Sequence, residues 1–121
     1  MSGSQELAVA AARAAAGKQA KQIVILDVRD LIGITDYFVI ASGSSDRQVR
    51  TVAEEIERTL KAQGLRPVRR EGAREGRWVL LDFVDFVAHV FRREEREYYD
   101  LERLWSDAPT VDWETPAARS G

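Results

Sequence analysis

The sequence predicts a mixed α+β fold: a β-sheet of about five strands, with helices packed mainly on one of its faces. Segments rich in β-branched residues alternate with segments of helical periodicity, in the order helix, two strands, helix, three strands, helix. So few helices leave part of one sheet face uncovered. The 121 residues suit one domain with a real hydrophobic core.

Composition excludes several classes of protein. The chain has no cysteine, so it forms no disulfide and no thiolate metal site. Its net charge of −2 does not favour a general nucleic-acid binder held by phosphate contacts. No apolar run approaches the roughly 18 residues of a membrane span, so we expect no membrane partner.

The N-terminal third predicts one helix and two strands. The opening segment is rich in alanine; Ser4 can cap a helix, Glu6 favours its positive end, and Gly17 can end it. An acidic residue and few hydroxyls argue against a transit peptide. Residues 21–30 and 35–43 are rich in β-branched and apolar side chains, which predicts two buried strands.

The clearest helix follows the second strand. Ser45 and Gln48 form a capping-box pattern, and Gly64 can end the helix. Between them, apolar side chains recur at helical spacing, which assigns Ile56 and Leu60 to the core as structural residues. The full apolar stripe is Val49, Val52, Ala53, Ile56 and Leu60.

The next segments predict a short edge strand and a hairpin. Residues 66–77 contain five arginines, two glycines and a proline, which indicates an edge strand followed by a polar loop. Residues 77–83 and 84–91 are predicted to be two further strands that form a hairpin. In the second of them, even-numbered residues take one face of the sheet and odd-numbered residues the other.

The last predicted helix runs from about Arg93 to about Ser106. Tyr98, Leu101 and Trp105 fall on one helical stripe, with Tyr99 beside it. We therefore assign Trp105 to the core as a structural residue, and leave Tyr99 free to meet a partner. The domain then spans residues 1–107, followed by a flexible tail over residues 108–121, which contain two prolines and no period.

A Gly-Ser turn at residues 41–46 is the first candidate for chemistry. At the start of a helix such a turn can present N–H groups to a phosphate, as nucleotidyltransferases do. Those enzymes also need paired metal-binding carboxylates, and no Asp-x-Asp occurs on any predicted strand. A capped helix is the favoured interpretation. We expect no enzyme activity, no cofactor and no metal.

The other polar candidates are also weak. Asp82 and Asp85 could meet at a cation, but turn carboxylates that accept local N–H groups are the commoner case. His89, the only histidine, has apolar neighbours and is more typical of a packed side chain. The arginines of the loop 66–77 are diluted by Glu71 and Glu75, so we expect a solvated loop with at most a minor contact to RNA.

The aromatic residues leave two interpretations open. Aromatic side chains at regular spacing are most often core. Trp78, however, follows the arginine loop, and Tyr98 and Tyr99 are adjacent, so both tyrosines cannot face inward. Tyrosine and tryptophan with charged rims are also typical of interfaces. For Trp78 and Tyr99, core and partner surface are equally supported by the sequence.

Taken together, the motifs resemble those of the ribosome silencing factor family, also called Iojap-related. The motifs are TDYFVIASG, SSDRQV, EG at 71–72, GRWVLLDF, DFVAHVF and YYDLERLW, in this order, and the resemblance covers about residues 5–107. It implies a nucleotidyltransferase-like fold without the catalytic carboxylates. It also implies a repressor that binds the fourteenth protein of the large ribosomal subunit, blocks subunit joining and lowers translation when nutrients are scarce. We expect such a protein to be cytoplasmic.

The resemblance also implies a set of site residues. Carried over position by position, the expected partner-binding residues are Asp36, Tyr37, Trp78, Asp82, His89, Tyr99, Leu101 and Glu102. One departure from the family is Val84, which stands where the family tends to have glycine. A β-branched residue resists positive φ, which predicts a bend wider than a two-residue primed turn at this point.

Two other functions remain as alternatives. The first is a nucleotidyltransferase-like enzyme or nucleotide-binding protein that uses the ASGSS turn, which would need a nucleotide and a divalent cation. The second is a homodimeric scaffold in which the uncovered sheet face pairs with its copy, and the free repressor could form the same homodimer.

Overall fold

A computed structural model describes residues 3–115 and shows one five-stranded mixed sheet with four helices. The strand order is β1-β2-β5-β4-β3, with β2 and β5 parallel and the other neighbours antiparallel. The predicted fold class is confirmed. In chain order the elements are α1 (Ser4–Gly17), β1 (Lys21–Asp27), β2 (Tyr37–Gly43), α2 (Asp46–Ala62), β3 (Arg69–Glu71), β4 (Trp78–Asp82), β5 (Phe86–Arg92), α3 (Arg93–Tyr99) and α4 (Leu101–Leu104).

One face of the sheet is covered by α1 and α2. Helix α1 buries five alanines, whose small side chains let it lie close to the sheet and to α2. The apolar stripe of α2 is buried as predicted, and Ile56 and Leu60 lie fully inside the core. The strands supply the alternate residues Tyr37, Val39, Ala41, Val79, Leu81, Phe86, Ala88 and Val90 to this face. This covered face is the main hydrophobic core.

The two long helices begin with different caps. At α2, Ser45 Oγ accepts the Gln48 N–H at 3.1 Å as predicted, and the Gln48 side chain reaches the Ser44 N–H at 2.7 Å. At α1 the prediction was wrong, because Gly3 is the capping residue and Glu6 Oε1 accepts its N–H at 2.9 Å. Ser4 instead donates its hydroxyl to a carboxylate of the neighbouring loop.

The opposite face of the sheet is only partly covered. Leu26, Val28, Ile40 and Phe91 form a second, smaller buried cluster there. Leu101, Trp105 and Ala108, from α4 and the chain after it, pack on this cluster over β1 and β2. Among the described residues, the Tyr99 ring of α3 reaches this face at Trp78, the first residue of β4, but no helix lies over the rest of β4 or over β3. The predicted uncovered region lies there.

The last helix is broken at Asp100, which corrects the predicted single helix. Asp100 takes a left-handed backbone conformation, with φ 48° and ψ 56°, and separates α3 from α4. The turn changes the direction of the chain, so Tyr98 is not on one stripe with Leu101 and Trp105. The Tyr98 side chain is 82% exposed.

Residues 108–115 are packed on the sheet, which corrects the predicted flexible tail and the boundary at residue 107. The Asp27 N–H donates to the Pro109 carbonyl at 2.7 Å, and the Val111 N–H donates to the Ile25 carbonyl at 2.9 Å. These bonds satisfy the free edge of β1, which would otherwise expose unpaired backbone groups. Trp113 also packs against the main core. Residues 116–121 of the predicted tail lie outside the described part of the chain.

The turn between β4 and β5 is tighter than predicted. Only Val84 and Asp85 connect Phe83 to Phe86, and the Phe83 N–H donates to the Phe86 carbonyl at 2.9 Å. Val84 takes φ 76°, the conformation that its β-branched side chain disfavours. Its N–H donates to Asp82 Oδ1 at 2.9 Å. Hydrogen bonds on both sides of Val84 therefore hold the tight turn against the local preference.

Candidate functional site

The open face of the sheet carries a continuous aromatic surface, which we define as Phe38, Trp78, Leu80, Val87, Tyr99 and Trp105. The strand residues among them alternate with the residues of the covered core, so they point to the other side. All six are partly accessible, and Tyr99 is 45% exposed. The cross-strand pairs Phe38–Val87 and Leu80–His89 make the surface continuous over β2, β5 and β4.

Trp78 and Tyr99 form the centre of contact between the sheet and α3. Their ring centroids lie 4.5 Å apart, and Trp78 stacks on the buried Phe91 ring at 4.9 Å. Trp78 Nε1 donates to His89 Nδ1 at 3.1 Å. Stacking on Phe91 and the hydrogen bond to His89 thus fix the Trp78 side chain on its sheet side, while the residue remains partly accessible. It belongs both to the packing of the fold and to the surface.

His89 lies beneath the aromatic surface and is buried. Because Nδ1 accepts the Trp78 proton, the neutral ring carries its own proton on Nε2. Nε2 has no hydrogen-bond partner among residues 3–115. Burial disfavours the charged imidazolium and lowers the pKa of His89 to about 4. The side chain is therefore neutral near pH 7 and supports the surface rather than contacting a partner itself.

A buried arginine holds α3 against the sheet. Arg96 donates two hydrogen bonds to the Glu102 carboxylate, at 3.0 and 2.8 Å, and a third to Ser42 Oγ at 2.8 Å. It also donates to the Gln22 carbonyl. These contacts join α3, α4, β1 and β2 and so determine where Tyr99 stands. The sequence analysis missed Arg96, because arginine is usually exposed and its partners are distant in sequence.

The predicted partner-binding residues do not all lie on one surface. Tyr37 is 2% exposed beneath α1, where its hydroxyl donates to Gln5 Oε1 at 3.2 Å, so its side chain offers nothing to a partner. The Asp36 carboxylate accepts from Ser4, at the opposite end of β2 from Tyr99. Glu102 is engaged by Arg96. Tyr37 is therefore corrected from a partner-binding to a buried residue, and Asp36 and Glu102 lie away from the surface or are engaged within the fold.

Asp82 and Leu101 lie at the border of the aromatic surface. Asp82 is half-buried on the open side of β4 and caps the tight turn through its bond to the Val84 N–H. The turn-carboxylate interpretation of Asp82 is therefore the observed one. Leu101 packs with Trp105 on the second buried cluster and remains partly accessible. The structure brings together Trp78, Tyr99 and Trp105, with Leu101 beside them and the buried His89 beneath Trp78.

The remaining sequence candidates have structural explanations. Gly72 of the EG motif has φ 78°, and a Cβ atom there would stand 1.9 Å from the Trp78 carbonyl oxygen. Only glycine therefore lets the arginine loop turn back over the start of β4. In the Gly-Ser turn, Gln48 Oε1 accepts the Ser44 N–H, and Ser45 caps the start of α2. Within residues 3–115, no group of three acidic or histidine side chains is arranged to hold a metal ion.

The helices of the described residues are too short or too polar to cross a membrane. The aromatic surface is bordered by acidic residues along α3, namely Glu94, Glu95, Glu97 and, directly after the helix, Asp100. Large accessible aromatic rings inside a charged rim are the composition of a protein-binding surface.

Comparison with known proteins identifies a matching family and similar chains. The family described as ribosomal silencing factor during starvation matches residues 1–120. The ribosomal silencing factor RsfS of Halalkalibacterium halodurans is 44% identical over 110 residues, which cover 91% of this chain and 94% of that protein. A crystal structure of a Chromobacterium violaceum protein, 34% identical, superposes with a TM-score of 0.85 over 98% of each chain.

A more distant relative extends the comparison to mitochondria. The mouse protein named mitochondrial assembly of ribosomal large subunit protein 1 is 34% identical over 92 residues, which cover 74% of this chain and 40% of that protein. The family match over nearly the whole chain, the similar bacterial relative and the shared fold agree. The chain belongs to the ribosomal silencing factor family, whose members are regulators that associate with ribosomes and repress translation.

Proposed function

We propose that the protein represses translation by binding the large ribosomal subunit and blocking its association with the small subunit. Its partner there is the fourteenth ribosomal protein, and its action lowers translation in the cytoplasm when nutrients are limited. Family membership supports the silencing role. The name of the mouse relative associates a similar protein with the large subunit. No catalytic step and no cofactor enters this function.

The accessible Trp78–Tyr99 pair is the observation that carries the proposal. Rings held at fixed positions lose little entropy when a partner covers them, so they can contribute most of the binding energy. Trp78 is fixed by Phe91 and His89, and Tyr99 by the anchored helix α3. Phe38, Leu80 and Val87 extend the apolar area on the sheet. The acidic residues of α3 provide a rim that suits a basic ribosomal protein.

The roles of the predicted residues follow from these contacts. The residues that contact the partner directly are Trp78, Tyr99 and Leu101. Trp105, which follows α4, supports them by packing against the sheet. His89 and Glu102 act indirectly, because one positions Trp78 and the other positions Arg96. Asp82 lies close enough to the surface to contribute at its border. Tyr37 takes no part in binding.

Sedimentation with purified large subunits tests the proposal. Tyr99→Ala removes a ring that is 45% exposed without breaking a hydrogen bond, so we expect it to keep its far-UV circular dichroism and to melt only slightly below the wild-type protein. We expect it to lose about 2 kcal/mol or more of binding free energy, which is at least about thirtyfold in affinity. It also fails to stop small subunits from joining at concentrations where the wild-type protein does.

The matched control is Ile34→Ala, at an apolar residue that is 83% exposed in the loop before β2. It should bind and block like the wild-type protein. If a folded variant with both Tyr99→Ala and Trp78→Phe still blocks joining at wild-type concentration, the docking surface lies elsewhere. Sedimentation of the free protein shows separately whether it forms a homodimer.

A further inference from the structure

Three segments bring arginines together at the end of the sheet that adjoins the aromatic surface. Residues 46–50, 74–77 and 92–94 hold six arginines and only three acidic residues, although the whole chain has a net charge of −2. The Arg92 N–H donates to the Arg77 carbonyl at 2.8 Å, which joins the second and third segments. Arg50 Nη1 donates to the Arg74 carbonyl at 3.4 Å, which joins the first and second.

The acidic residues of these segments are mostly engaged by a single arginine. Arg92 contacts Asp46 at 3.1 Å and Glu94 at 3.3 Å, which leaves Glu75 as the remaining acidic residue. Among residues 3–115, five arginines of the three segments have no carboxylate oxygen within 4.0 Å, namely Arg47, Arg50, Arg74, Arg77 and Arg93. We name these five the arginine end. None of the five forms an ion pair within the described part of the fold, and Glu75 is the one acidic residue of these segments that Arg92 does not engage.

Other arginines of the predicted basic loop are engaged in ion pairs. Arg69 contacts Glu71 at 3.3 Å and Asp82 at 3.9 Å, and Arg70 contacts Glu57 at 3.5 Å. From sequence, we expect residues 66–77 to form an edge strand and a solvated loop with at most a minor contact to RNA. In the structure, the β3 part is charge-balanced, and the part near Gly76 joins Arg47 and Arg50 of α2 in an unbalanced group.

The arginine end is built on a close backbone approach. Gly76 is buried with φ 71°, and a Cβ atom there would stand 2.7 Å from the Asp46 carbonyl oxygen and 2.8 Å from Arg50 Nη1. The loop therefore packs directly on the first turn of α2. This packing holds Arg74 and Arg77 next to the first turn of α2, which carries Arg47, and all three residues are exposed.

We propose that the arginine end contacts the phosphate backbone of ribosomal RNA beside the docking site of the aromatic surface. The inference rests on the proposed function, because it takes the large subunit as the partner. Arg77 immediately precedes Trp78, and Arg93 begins the helix that ends at Tyr99. A partner covering the aromatic surface thus brings its neighbouring surface onto the arginines. On a ribosomal subunit the densest anionic groups are RNA phosphates, which guanidinium groups bind in bidentate geometry.

The test compares two double variants of equal charge. Arg74→Gln with Arg77→Gln removes charge from the arginine end, and Arg69→Gln with Arg70→Gln removes the same charge from the paired arginines. Affinity for purified large subunits is measured over a salt series. We expect the first variant to bind several-fold more weakly at low salt. The slope of its log affinity against log salt becomes shallower by about one for each phosphate that is no longer neutralised. The second variant keeps the wild-type slope.

Binding to the isolated fourteenth ribosomal protein distinguishes an arginine contact with RNA from an arginine contact with that protein. The arginine-end variant should bind this protein with wild-type affinity, because no RNA is present. An equal reduction in affinity for the isolated protein would mean that the arginines meet acidic side chains, which overturns the RNA contact. An unchanged salt dependence on whole subunits overturns it as well. If the wild-type protein binds subunits but not the isolated protein, the proposed protein partner fails while the arginine result still stands.

Discussion

The two faces of the sheet differ in the side chains they carry and in how much of their surface is accessible. The covered face is filled by apolar side chains of α1, α2 and alternate strand residues, and among residues 3–115 it buries no acidic or basic side chain. The open face carries aromatic rings over a polar layer of Ser42, His89 and Arg96. On the covered face, side chains need only to fit one another in volume and shape. On the open face, polar groups beneath the aromatic rings determine the orientation of the rings through hydrogen bonds.

This contrast explains why an apolar surface can remain accessible in a stable protein. The covered face provides the burial that drives folding. The open face can therefore keep Trp78 and Tyr99 partly in solvent, with their positions held by Phe91, His89 and the Arg96 anchor. Substitutions on the covered face should reduce stability, and substitutions of exposed rings on the open face should reduce binding.

The largest expected effect on stability comes from the covered face. Leu60→Ala removes a fully buried side chain between α2 and the sheet and leaves a cavity. We expect a decrease of about 2–5 kcal/mol in the free energy of unfolding, measured by denaturant titration. The folded fraction should still bind large subunits. Leu104→Ala, at an exposed leucine, is the control and should change stability by about 0.5 kcal/mol or less. Equal decreases in both variants would contradict the assignment of α2 to the core.

The next largest effect is a pH dependence of stability that arises from His89, beneath the open face of the sheet. His89 is buried and neutral, with its pKa lowered to about 4 by burial, whereas the unfolded chain titrates near 6.5. Between these values the unfolded state binds a proton that the folded state does not. Stability is therefore complete above about pH 6.5 and falls as pH decreases to about 4, by up to about 3 kcal/mol.

His89→Gln tests this effect, because glutamine cannot titrate but can still accept the Trp78 N–H. Its unfolding free energy should vary less with pH than that of the wild-type protein between about pH 4 and 6.5. Urea titrations of both proteins across this range provide the measurement. Parallel pH profiles would mean that His89 is accessible to water, and that the polar layer beneath the rings is open.

The smallest effect concerns the turn that joins β4 to β5. Val84 holds φ 76° in a conformation that costs a β-branched residue about 1–3 kcal/mol. Glycine relieves this backbone strain in the folded state. It also increases the conformational entropy of the unfolded chain, which cancels about 0.5–1 kcal/mol of the gain in stability. We expect Val84→Gly to stabilise the protein by about 1 kcal/mol in thermal unfolding, with unchanged binding. Val68→Gly, at an exposed valine without positive φ, should not stabilise it.

Much of the local structure could be predicted from the sequence. Helix α2 and its buried stripe follow from helical spacing between a serine cap and a glycine stop. The alternation in β5 predicted which residues share a face. Each of these inferences depends on neighbours within a few residues, where backbone periodicity and capping chemistry dominate.

The tertiary structure decided which of the predicted residues reach the surface. Spacing could not show that Tyr37 faces α1, that Arg96 joins α3 to Ser42 and Glu102, or that residues 108–115 complete the edge of β1. It could not anticipate the left-handed turn at Asp100 or the strained Val84 either. These features depend on partners far apart in the chain, because buried polar groups and free strand edges must find hydrogen bonds wherever the fold provides them.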